Sequence, residues 1–148
     1  MRMTTQRDTQ RRGTTLLELL ACMAVAGALL AITVPRYAAW RNVIAAREAA
    51  SDLAGVLGSA RETAVFRGGF IAVVLDTTRG AVDSRAAGRL LSHRDEHARY
   101  GVAVAANRDS VVYDPTGLGY GANSVTIVVS RGAAAETITV SRLGRVHW

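Results

Sequence analysis

The residue that asks most from its surroundings is a carboxylate in an apolar run. Glu18 is the only charged side chain in TTLLELLACMAVAGALLAITV, the 21 residues from 14 to 34. A charge near mid-bilayer costs roughly 2.5–3.5 kcal/mol on insertion scales, so it persists where something answers it. If the chain is cut after Gly13, the new amino group of Thr14 lies one turn from Glu18. The two then neutralise one another within a chain or between neighbouring helices.

Three other constellations could carry chemistry. His93-Arg94-Asp95-Glu96-His97 spells H-x-x-E-H. On a helix, His93 and His97 would stand one turn apart and could share a zinc ion, with Glu96 as general base of an anchored hydrolase. The surrounding LLSHRDEHARYG lacks an amphipathic frame, and no downstream helix offers a third ligand. A solvated polar loop with no metal, no cofactor and no catalytic role is the expectation. Gly117-Leu118-Gly119-Tyr120-Gly121 resembles a phosphate-cradling loop, but such loops open a helix, and a β-branched run follows at 125–129. A turn between strands is expected instead. In the tail, a strand continuing from Ile138 and Val140 would put Val146 and Trp148 on the inner face and Arg145 and His147 outside. Either this strand closes the sheet edge with Trp148 as a plug, or Arg142, Arg145, His147 and Trp148 hold a phosphate backbone. Cys22 is the only cysteine, so no intrachain disulfide forms, and a buried small hydrophobe is expected there.

The elements that must position these residues follow from charge and periodicity. All 18 basic residues are arginine, and the net charge is +6. Arg2, Arg7, Arg11 and Arg12 against Asp8 place half of that charge on residues 1–13, which read as a processed leader. The remaining body is less basic than a dedicated nucleic-acid domain. As a helix, the 21 residues would cross about 30 Å of hydrocarbon, with the preceding arginines keeping the N-terminus cytoplasmic. Arg36, Tyr37, Trp40 and Arg41 suit the membrane–water boundary. Pro35 could end the helix there. Beyond it Val43, Ala46, Ala50, Leu53, Leu57, Ala60 and Ala64 form one apolar stripe, which predicts that the helix resumes until Gly68-Gly69. Strand-like runs follow at 70–76, 101–105, 110–114, 125–131 and 137–142, with a hairpin loop at 132–136. The stretch from 77 to 99 reads as a loop with a short strand or two. The expected architecture is α+β, one long N-terminal helix packed on a small antiparallel sheet. Its expected divisions are a leader (1–13), an apolar half-helix (14–40), an amphipathic half-helix (41–68) and a β domain (69–148).

Arg11-Arg12-Gly13, the glutamate five residues later and some twenty apolar residues together resemble the type IV prepilin signature. Pro35, twenty-second from Thr14, stands where many pilins carry a helix-kinking proline. Arg61-Glu62-Thr63-Ala64-Val65, and the order Val112-Tyr113-Asp114-Pro115-Thr116-Gly117, then residues 125–130, then residues 138–141 followed by Leu143-Gly144-Arg145-Val146, resemble the GspH/FimT branch of pseudopilins and minor pilins. The resemblance implies the pilin fold and cleavage between Gly13 and Thr14 by a prepilin peptidase. It also implies methylation of the Thr14 amine and docking of subunits guided by Glu18. Thr14 departs from the phenylalanine or other hydrophobe usual at that place. The resemblance further implies a single-pass inner-membrane protein, extracted by an assembly platform into a type II secretion pseudopilus or type IV pilus, near the tip. Other pilins, the lipid bilayer and secreted cargo are the implied partners. Some pilus members of this branch bind DNA through a Gly-Arg-x-Arg tail. Here Gly144, Arg145 and Val146 match, and His147 replaces the last arginine.

Overall fold

The computed structural model describes residues 15–121 and 124–148. The expected leader and cleavage site, through Gly13 and Thr14, lie outside the described residues. The chain divides into two compact units, Met1–Tyr37 and Ala38–Trp148. Helix α1, Leu16–Arg67, runs through both and contains Pro35.

In the first unit, Thr15 begins the helix. Its hydroxyl and its carbonyl both accept the Glu18 N–H, at 3.3 and 3.0 Å. Thr15 is therefore the N-cap, and Glu18 lies in the first turn, where the helix dipole favours an anion. The Thr33 hydroxyl donates to the Leu29 carbonyl at 2.8 Å, so it needs no outside partner in an apolar stretch. All described side chains from Leu16 to Val34 are exposed, including Cys22, which was expected to be buried.

The second unit is built on the rest of α1. Ala46, Ala49, Ala50, Leu53, Val56, Leu57, Ala60 and Ala64 are buried along one face of the helix. Val43, expected on this stripe, is 49% exposed, while Ala45 is buried. The helix stops in a paired C-terminal motif. The Gly68 N–H bonds the Val65 carbonyl and the Gly69 N–H bonds Ala64, with Gly68 at φ +60°.

The eight strands that follow are β1 (Ile71–Asp76), β2 (Ala81–Ala86), β3 (Arg89–Asp95), β4 (Ala103–Ala106), β5 (Ser110–Tyr113), β6 (Val125–Arg131), β7 (Ala134–Val140) and β8 (Val146–His147). The short helix α2, Glu96–Tyr100, separates β3 from β4. They form two antiparallel sheets of four, ordered β3-β2-β1-β5 and β4-β6-β7-β8, where one sheet was expected. The stretch 77–99, expected as a loop with a short strand or two, supplies a full hairpin, β2–β3, and most of α2. Its period is weak because β3 is a largely exposed edge strand, with no buried face to mark. Inner-face residues of both sheets, among them Ile71, Val73, Val111, Tyr113, Ile127, Val129, Ile138 and Val140, join the alanine stripe in one core.

The tail also differs from expectation. The strand does not continue past Val140. Residues 141–144 turn, with Gly144 at φ +70°, and β8 returns antiparallel, pairing Val140 with Val146 and Thr139 with His147. Trp148 ends 57% exposed rather than as a plug.

The β2–β3 hairpin pairs Ala86 with Arg89 across Ala87-Gly88, and both turn residues have positive φ, at +47° and +79°. A turn with two left-handed residues suits Asn-Gly better than Ala-Gly. Ala87→Asn is expected to raise unfolding stability by about 0.5–1 kcal/mol, measured by thermal melting of the detergent-solubilised chain.

Candidate functional site

Three of the sequence blocks that carry the family resemblance meet at one place. Arg61, on the last turns of α1, donates from Nε to the Gly117 carbonyl at 2.8 Å. Gly117 closes the turn after β5, which Asp114 organises. The Asp114 carboxylate accepts from the Thr116 hydroxyl (2.6 Å) and from the N–H groups of Thr116 (2.8 Å) and Leu118 (3.0 Å). These bonds, the hydroxyl first, hold its carboxyl below the usual range. The third block arrives through Gly144. A Cβ there would lie 2.7 Å from the Gly117 oxygen and 3.1 Å from the Tyr113 ring. At Gly117 itself, with φ +79°, a Cβ would meet Val65 at 2.9 Å. The glycines of the 117–119 run thus serve close backbone approach and a turn, as the strand after them implied. Tyr113 is buried beside this junction, and burial pushes its phenol up to about 12.

The expected site residues fall in separate places. Glu18 and Pro35 lie on α1 in the first unit. Arg142 and Arg145 are exposed on the turn between β7 and β8. From there the chain runs back beside α1, and Trp148 lines a hollow with Ile44, Arg47, Glu48 and Ser51. Arg142, Arg145, His147 and Trp148 are all exposed within seven residues of the tail. His93 lies in β3, 2.6 Å from an Asp83 oxygen, and His97 lies in α2, its ring 2.9 Å from the Val102 carbonyl. The single helix that H-x-x-E-H needs is absent here, and no group of three metal-ligating side chains occurs among the described residues.

Glu96 escaped the sequence reading as anything but a zinc base. It is 1% exposed, and neither carboxyl oxygen has a hydrogen-bond partner among the described residues. Burial, and then the Asp52 carboxylate on α1, push it up to about 7, while Arg99 and Arg94 pull it down and Asp95 adds to the rise. The signal that could have located it is Asp95, which caps α2 by accepting the Ala98 N–H at 2.7 Å, together with Gly101 at its left-handed end.

A long helix whose C-terminal half is covered by antiparallel sheets is the pilin fold. The type IV minor pilin FimU of Pseudomonas aeruginosa shares it, with a TM-score of 0.60 and 16% identity over 69% of this chain and 86% of that one. So does the minor pseudopilin EpsH from the type 2 secretion system of Vibrio cholerae, with a TM-score of 0.55 and 12% identity over 69% of this chain and 94% of that one. No curated protein matches the sequence at a significant level. Residues 49–144 match the family described as Type II transport protein GspH, and the chain belongs to that family. It is a pilin-like protein of the minor pseudopilin and minor pilin class.

Two outcomes follow from these contacts. Gly144→Ala forces a methyl against a backbone oxygen at a left-handed position and is expected to cost about 2–4 kcal/mol. Gly68→Ala, also left-handed but open to space, is expected to cost about 1 kcal/mol; chemical denaturation of the two variants compares them. For Glu96, the unfolded chain releases the proton near pH 4.5 and the folded chain near 7. Unfolded molecules bind fewer protons between those values, so stability falls as pH rises across that window and levels off above it. The total loss is on the order of 3 kcal/mol. Glu96→Gln is expected to flatten this slope in melting curves taken between about pH 5 and pH 8.

Proposed function

We propose that this chain is a minor subunit of a type II secretion pseudopilus or type IV pilus. It waits in the bacterial inner membrane as a single-pass protein and is then drawn into a filament near its tip. The observation that carries this reading is the exposure of every described side chain from Leu16 to Val34, Glu18 included. Apolar surface on that scale needs cover, first lipid and then neighbouring helices. The Thr15 cap and the helix dipole answer part of the Glu18 charge. Cleavage after Gly13 by a prepilin peptidase supplies the rest as the Thr14 amine, and methylation there keeps the charge. In the filament, that amine and Glu18 of adjacent subunits set the register. Pro35 gives no N–H to the Ala31 carbonyl, and this is where α1 can bend to fit its neighbours. An inner-membrane assembly platform provides the extraction, and the two sheets meet partner subunits or cargo.

The test is Glu18→Ala expressed beside the complete machinery, with sheared filaments or crosslinked tip complexes collected and weighed by mass spectrometry. Wild-type subunits are expected to begin at Thr14, and the variant to be recovered at about a tenth of the wild-type level or less. Equal recovery would sink the docking role, and subunits still carrying residues 1–13 would remove the amine on which it depends.

A further inference from the structure

Just past the apolar stretch, a pocket of about 270 Å³ opens on the second unit. Trp40, Arg41 and Glu48 of α1 line it, with Arg99 and Tyr100 of α2 and Arg131 at the end of β6. Three guanidinium groups face one carboxylate, so the pocket is cationic. Two of the three are held in place by neighbouring groups. Arg99 donates to Asp52 at 2.8 Å and stands 5.4 Å above the Tyr100 ring, and Arg131 donates to the Tyr100 carbonyl at 2.5 Å. A guanidinium has five N–H donors, so these contacts orient the groups without exhausting them. Arg41 is exposed and makes no hydrogen bond or ion pair among the described residues.

Chain length decides what can reach this pocket. Seven residues, about 10 Å of helix, separate Val34 at the end of the apolar run from Arg41. The headgroup layer beyond the hydrocarbon is about 5–8 Å deep on each side. Tyr37 and Trp40, both exposed, precede Arg41 as interfacial aromatics do. The geometry points to a headgroup site, in which this pocket takes the phosphodiester of an anionic phospholipid in the exported leaflet while the subunit waits in the membrane. The inference rests on the membrane-anchored reading above. Arginine forks match phosphate oxygens in pairs, and Glu48 is placed to accept a hydroxyl from a glycerol headgroup. A zwitterionic lipid would bring its own ammonium against the arginines and is disfavoured.

The full chain is reconstituted in nanodiscs holding equal amounts of phosphatidylglycerol and phosphatidylcholine, and retained lipid is read by native mass spectrometry. Wild type is expected to keep phosphatidylglycerol preferentially, and Arg41→Glu to lower that retention about tenfold. Arg41→Lys is expected to retain part of it, and Arg108→Glu, exposed and outside the pocket, to retain all of it. Arg41 has no hydrogen-bond or ion-pair partner among the described residues, so its variants are expected to keep the fold, which an unchanged melting temperature verifies. Inorganic phosphate at millimolar concentration is expected not to displace the lipid, and displacement would overturn the headgroup assignment. Insertion without any preference for phosphatidylglycerol overturns this proposal and leaves the membrane reading intact. Failure to enter discs of phosphatidylcholine alone removes the membrane reading, and the proposal with it. If Arg41→Glu keeps the lipid yet vanishes from filaments, the pocket serves a neighbouring subunit's carboxylate and the lipid assignment fails.

Discussion

Close approach to an alanine face is the constraint on which the second unit depends. Five of the eight fully packed positions between residues 46 and 64 are alanine, so α1 presents little more than backbone and methyl groups to the sheets. Valine, isoleucine and tyrosine side chains from both sheets then fill the space against it. Interiors pack to crystal-like density, and larger side chains on the helix would push the sheets outward. A single helix face thereby supplies one core for two sheets that share no strand.

The two parts of α1 differ in what they bury. No described residue of its first turns and apolar run is buried, whereas its part from Ala45 onward packs into the domain and is tied to it through Arg61 and the glycine junction. The exposed apolar residues of α1 are therefore not those that hold the sheets. The junction is rigid for a steric reason. Gly117 and Gly144 stand where any side chain would strike a neighbour, so the turns after β5 and β7 lock against each other and against Val65.

Around α2 the domain keeps polar groups close together. Glu96 is buried without a partner, and Asp52 receives Arg99 and stands 3.5 Å from the Tyr100 hydroxyl. A neutral carboxylic acid is tolerated in such a place where a carboxylate is not, which ties this corner's packing to proton concentration. Its outer side carries the arginine pocket, to which Arg99 and Tyr100 of the same short helix contribute.

Run length and periodicity are local properties, and what they encode was legible in the residues alone. The 21-residue apolar run with its single carboxylate, the stripe from Ala46 to Ala64, the stop at Gly68-Gly69 and most strands could be read this way, because solvent and helix geometry act on neighbours in the chain. Tertiary structure alone decided that there are two sheets, that the tail reverses at Gly144, that His93 and His97 belong to different elements, and that Glu96 is inside. Each of these depends on residues distant in sequence. Arg61 and Gly117 are 56 positions apart, and Arg131 reaches back 31 to the Tyr100 carbonyl. Long-range pairings leave no period in a sequence, and an exposed edge such as β3 leaves no apolar face to betray it.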